Sequence, residues 1–187
     1  PRLRSIVMDS SSGLRAQVAA DVAALGLPRG ATVSVHASVK ALSGGSRAGG
    51  FVDAVLNGLL DCVGNEGTVF TPTHTYCFKG STFAKSGFHA GLPSLTGLLS
   101  EAVRQHPKAV RSEHPTHSVA AIGKHARALT DPPPPPPPPA STPTGSTAAD
   151  NSAAGPHSPY TRLLAGEAGE AGEGYVLLLG CGFESNT

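Results

Sequence analysis

The sequence predicts an α/β fold, a largely parallel or mixed sheet with helices on both faces. Two observations predict it. Segments with a helical repeat of apolar residues alternate with short valine-rich runs, and strands joined by helix-length connections tend to pair in parallel under helical cover. The chain of 187 residues is 39% hydrophobic without one long apolar run, a composition suited to a single globular domain over residues 1–187 and not to a membrane span.

The elements follow in order. Residues 9–12 supply caps for a first helix in which Leu14, Val18, Val22 and Leu25 share one face, and Gly26 and Pro28 end it. Ala31 to Val39 alternates and is rich in valine, as a strand is. Phe51, Val52, Val55, Leu56, Leu59 and Leu60 fall on one face of a second helix, and Gly67 to Thr73 reads as the next strand. A helix from about Ser94 to His106 follows, stopped at Pro107, with Leu95, Leu98, Leu99, Ala102 and Val103 as its buried stripe. Ser118 to Ile122 is then a strand, and Lys124 to Leu129 a short helix.

Over residues 131–155 the pattern collapses into eight consecutive prolines and a tail of Ser, Thr, Ala and Gly. Such a segment has too few backbone donors and apolar side chains to join a core, so a disordered, solvated insertion within the domain is expected. Its polyproline II tendency also suits a proline-recognising partner. Order resumes where Ser158 caps a helix with Pro159 in its first turn and Gly166 at its stop. A Gly-Glu-Ala link leads to Tyr175–Leu179, whose apolar run reads as a fully buried strand.

Charge and cysteine usage exclude several function classes. Fourteen basic and thirteen acidic side chains leave a net charge of +1, which offers no footprint for nucleic acid or anionic lipid. Charged ligands must be recognised locally. Cys62, Cys77 and Cys181 are widely spaced and form no CxxC pair, as expected of free thiols in a reducing compartment, the cytoplasm. The chain opens at Pro1 without an initiator Met, so targeting is not legible from it.

Chemistry concentrates in two places. The run Val33–Lys40, then a glycine-rich loop over 43–50 and a helix start, could hold phosphate through backbone N–H groups, Lys40 and Arg47; it could equally be glycine serving turn geometry alone. Neither a Walker nor a GxGxxG spacing is present. His114 and His117 lie three apart, but Pro115 between them favours a turn, and no acidic or cysteine set completes a tetrahedral site. No metal is expected, and the pair is read as a hinge shaping a pocket. His36 and His74 fall at strand ends, where α/β sheets bind ligands, although satisfied core or rim histidines read the same way.

Taken in order, Val35-His36-Ala37-Ser38-Val39-Lys40-Ala41-Leu42, Gly67–Thr73, Pro93–Gly97, Val110–Ser118, Ser158-Pro159-Tyr160 and Leu179–Thr187 resemble the aminoglycoside 3-N-acetyltransferase family. The resemblance implies acetyl transfer from acetyl-coenzyme A to the 3-amino group of a 2-deoxystreptamine aminoglycoside, a small cationic amine. It implies that His36, Ser38, Val39 and Lys40 lie along coenzyme A, that Thr73 and Ser118 line the pantetheine arm and acyl site, and that His114 and His117 shape the adjoining turn.

The amine is largely protonated at neutral pH and must lose a proton before attacking the thioester directly. In the family a histidine taken as the base follows an Asp-Ser-Asn-Thr stretch by a few residues. Here that stretch is Glu184-Ser185-Asn186-Thr187, which leaves Glu184 as the catalytic candidate within the chain. The resemblance therefore implies the N-terminal and central part of such an enzyme, truncated, with the sheet incomplete at the C-terminus and little turnover from this chain. The alternative is a non-catalytic coenzyme A or nucleotide-binding fragment whose polyproline segment recruits a partner.

Overall fold

The computed structural model describes residues 11–45, 50–78, 80–132, 155, 158–166 and 174–183. Most of the proline-rich insertion, Arg47 and Glu184 lie outside the described residues. The elements are α1 (Ser11–Ala24), β1 (Thr32–Ala37), α2 (Val39–Leu42), α3 (Phe51–Val63), β2 (Thr68–Pro72), α4 (Leu98–Gln105), β3 (Val110–Arg111), β4 (Val119–Gly123), α5 (Ala126–Thr130), α6 (Pro159–Leu164) and β5 (Gly174–Leu179).

The strands form one sheet in the order β3-β4-β2-β1-β5. β1 pairs in parallel with both β2 and β5, whereas β4 runs antiparallel to β2 and to β3. The sheet is therefore mixed. Its antiparallel half comes from β3, which the apolar pattern is too short to reveal. Residues 112–118 turn the chain straight back from β3 into β4, and a connection that short joins only antiparallel strands.

Alternation along the strands assigns the two faces. Val33, Val35, Val69, Ala120 and Ile122 face α3 and α4, packing with Val55, Leu59, Leu99 and Val103. Phe70, Val119 and Ala121 face the other way onto Ala126 and Leu129 of α5 and Leu163 of α6. α1 packs chiefly on α3. The approach is close at Gly58, where an added Cβ would stand 2.7 Å from Arg15 O and from Val18 Cβ.

Two boundaries and one burial expectation differ from the sequence reading, each for a local reason. The strand expected to run to Val39 stops at Ala37, because Ser38 caps α2 by accepting from Ala41 N–H at 3.3 Å. The helix expected from Ser94 starts at Leu98, since Ser94 N–H is taken by the Glu101 carboxylate and Gly97, at φ 126°, breaks the backbone. Leu95 and Leu98 are consequently 51% and 64% exposed while Leu99 and Val103 are buried. The run Tyr175–Leu179 is not fully buried: β5 is an edge strand among the described residues and its side chains are only partly covered.

The expectations for α6 are met directly. Ser158 accepts from Thr161 N–H at 3.2 Å, Pro159 opens α6 and Gly166 follows at φ 70°. All three cysteines are free thiols. Among the described residues no helix is long and apolar enough to cross a membrane.

Candidate active site

The carboxyl ends of β5, β1 and β2 lie side by side, because these three strands are parallel neighbours. They open onto a cleft of about 290 Å³ lined by Cys181 after β5, His36 and Ser38 at the end of β1, Pro72 at the end of β2 and His74 after it, and Tyr76, Thr96 and Ser100. This is the edge at which α/β sheets bind ligands. The loop ahead of α4 is pinned across the cleft by Thr96, whose Oγ1 donates to Pro72 O.

His74 is the most buried titratable group of the cleft, at 3% exposure. Its Nδ1 lies 3.1 Å from Tyr76 Oη, and its Nε2 has no hydrogen-bond partner. Tyr76 reaches it from a left-handed backbone, φ 49°, unique among the described non-glycine residues. Burial, together with repulsion from His117, His36 and His114, pushes His74 down to about 4. The ring is neutral at neutral pH.

The 114–117 turn is built around nitrogen lone pairs. His114 Nδ1 accepts the backbone N–H of Thr116 at 3.2 Å and of His117 at 2.9 Å, so this nitrogen carries no proton. Thr116 Oγ1 stands 2.7 Å from His117 Nδ1 and 3.2 Å from His114 Nδ1, joining the two rings. Burial and His114 lower the proton affinity of His117. His117 packs edge-on against His74 and Tyr76, so the turn abuts the wall of the cleft.

Thr73 and Ser118 form the support behind that wall. Both are fully buried, Ser118 Oγ donates to Thr73 O at 2.8 Å, and the two backbones are joined by Thr73 N–H to Ser118 O. Arg111 closes the same knot. Its guanidinium donates to Thr73 O, Ala90 O, Leu92 O and Ser118 Oγ and lies over the Phe88 ring at 5.4 Å. Burial lowers it to about 10, so it remains a cation at neutral pH.

The remaining expected residues separate. Val39 is buried in the core at 8% exposure, whereas Lys40 is exposed on α2. Tyr76, Thr96 and Cys181 were not singled out from the sequence. The run Thr73-His74-Thr75-Tyr76 just beyond a strand was the available signal for Tyr76, while Thr96 and Cys181 reach the cleft only through tertiary packing.

The sequence profile of aminoglycoside 3-N-acetyltransferases matches residues 35–187. The chain belongs to that family. Aminoglycoside N(3)-acetyltransferase VII of Streptomyces paromomycinus is 35% identical over 189 residues, covering 92% of this chain and 57% of that protein. The crystal structure of aminoglycoside acetyltransferase AAC(3)-Xa aligns with a TM-score of 0.62 at 34% identity, over 88% of this chain and 55% of that one. A structure of AAC-IIIb in a binary complex with CoASH aligns with a TM-score of 0.53 at 29% identity, over 63% of this chain and 48% of that one. This family member thus spans about half the length of the relatives it matches.

Proposed function

We propose that the cleft at the ends of β5, β1 and β2 receives acetyl-coenzyme A, and that the protein transfers the acetyl group to the 3-amino group of a 2-deoxystreptamine aminoglycoside. The observation that carries this reading is the convergence of the three parallel strand ends on one cleft, in a chain of this family. AAC-IIIb, a relative by fold and sequence, is known bound to CoASH.

In this reaction the deprotonated amine attacks the thioester carbonyl, the N–C bond forms, the C–S bond breaks and coenzyme A leaves as the thiol. The described part of the cleft supplies binding and neutral hydrogen-bonding groups. His74, pushed down to about 4, is too weak a base to deprotonate an alkylammonium efficiently, since a base works best with a pKa near the operating pH. Its role is that of a neutral donor. Glu184 is the catalytic candidate within the chain and lies outside the described residues. In this reading Lys40, exposed on α2, meets the coenzyme A phosphates, and its charge and exposure support that role.

The test is a thiol-release assay. Protein carrying this chain is mixed with acetyl-coenzyme A and kanamycin or gentamicin, and the antibiotic is recovered for mass analysis. The expected result is antibiotic-dependent thiol with a singly acetylated product. Thiol release equal to the no-antibiotic blank overturns the proposal.

A further inference from the structure

Cys181 stands in the cleft at the end of β5, partly exposed, its Sγ donating to His36 O at 3.4 Å. The other two cysteines have no such place. Cys62 is buried in the core, where burial raises its thiol, and Cys77 is not among the residues lining the cleft. A second feature marks the cleft as built for a polar ligand. His74, 3% exposed and lining the same space, keeps its Nε2 without a hydrogen-bond partner. A buried polar atom left in that state is costly unless something arrives to pair with it.

The Tyr76 hydroxyl engages His74 Nδ1 at 3.1 Å, so Nε2 is the ring nitrogen left for another partner. His74, with that nitrogen unpaired, and the Cys181 thiol thus line the same space. If that occupant is coenzyme A, as proposed above, the sulfur end of its pantetheine is brought among groups that include a free cysteine.

We propose that Cys181 is a redox-modification site that forms a mixed disulfide with coenzyme A. The reaction rests on the acyl-donor reading of the cleft. Coenzyme A disulfide is the co-reactant and the oxidant. Cys181 loses its proton to solvent, its sulfur attacks one sulfur of the disulfide, a new S–S bond forms as the old one breaks, and the displaced half takes up a proton and leaves as the thiol. The product fills the donor site covalently. Acetyl transfer stops until a reductant cleaves the bond, which makes the modification a reversible off-state.

The test compares coenzyme A disulfide with glutathione disulfide at equal concentration, following adducts by intact mass and locating them by peptide mapping. The expected result is a single adduct on Cys181 that forms at least about tenfold faster with coenzyme A disulfide, because docking raises the effective concentration of the attacked sulfur. Excess desulfo-coenzyme A suppresses it, Cys181→Ser abolishes it and Cys77→Ser leaves it unchanged. Equal rates with the two disulfides, or adducts on Cys77, overturn the proposal. Calorimetric titration with desulfo-coenzyme A separates the two readings. Binding without a Cys181 adduct sinks the redox site alone, whereas absent binding sinks the acyl-donor reading as well.

Discussion

The imidazoles of His74 and His117 meet edge-on with ring centroids 4.6 Å apart, one from the loop after β2 and one from the turn before β4. Both are held below the ordinary histidine range, His74 at about 4, and burial is the first cause for each. The contact therefore depends on both rings staying neutral.

That dependence sets a pH profile. An unfolded histidine titrates near 6.5, so between about 6.5 and 4 the unfolded chain binds a proton at position 74 that the folded chain does not. Stability from this group is complete above pH 6.5 and is lost as pH falls toward 4. The expected loss is on the order of 2 kcal/mol, seen as a falling Tm. His74→Gln, which cannot titrate, should flatten this part of the profile, and an unchanged slope in the variant would place the titration elsewhere. Tyr76, His114, His36 and Arg111 face the same region, and Arg111 keeps its charge throughout this window.

Arg111 supplies a second expectation. Its guanidinium satisfies three backbone carbonyls and the Ser118 hydroxyl, tying β3 to the loop that carries His74. Arg111→Leu leaves those acceptors without their donor and should lower stability by about 3 kcal/mol in urea unfolding. Arg111→Lys keeps the charge but not the planar fork, and should recover less than half of the loss. A loss below about 0.5 kcal/mol in Arg111→Leu, the size of an ordinary surface change, would mean that water replaces the clamp.

How far the sequence could see follows from these residues. Helix α3 was legible because its burial follows directly from spacing, and α6 because Ser158, Pro159 and Gly166 act locally, whereas in α1 only Val22 of the expected stripe is buried and Leu25, past the helix end at Ala24, is 73% exposed. β3 was not, since two residues carry no period. The exposure of Leu95 and Leu98 also escaped, because the loop before α4 is fixed by Glu101 and Pro72, contacts that spacing cannot register. At the site, His36 and His74 were legible as strand-end histidines, while Arg111 and Cys181 acquire their roles from residues far away in sequence.

The α1–α3 contact gives a prediction whose sign opposes propensity. Replacing an interior helical glycine by alanine normally stabilises by up to about 1 kcal/mol. At position 58 the new methyl would collide with Arg15 O and Val18 Cβ, and neither can yield without moving α1. Gly58→Ala is expected to destabilise by about 1–3 kcal/mol, read as a lower Tm. A higher Tm would show that the helices separate freely.

Ser38 tests the donor side of the cleft. Its hydroxyl caps α2, and its own N–H donates to Leu179 O, so one residue fixes both the start of α2 and the join between β1 and β5. A helix of four residues cannot hold itself together without such a cap. Losing the hydroxyl costs about 1 kcal/mol locally, which loosens α2 and Lys40 without disturbing the sheet. If coenzyme A lies along this segment, Ser38→Ala should raise KM for acetyl-coenzyme A up to about tenfold with kcat nearly unchanged, since a lost uniform binding contact appears in KM alone. Ser38→Thr, which can still cap, should restore KM. A fall in kcat at constant KM would instead put the Ser38 hydroxyl at the reacting carbonyl.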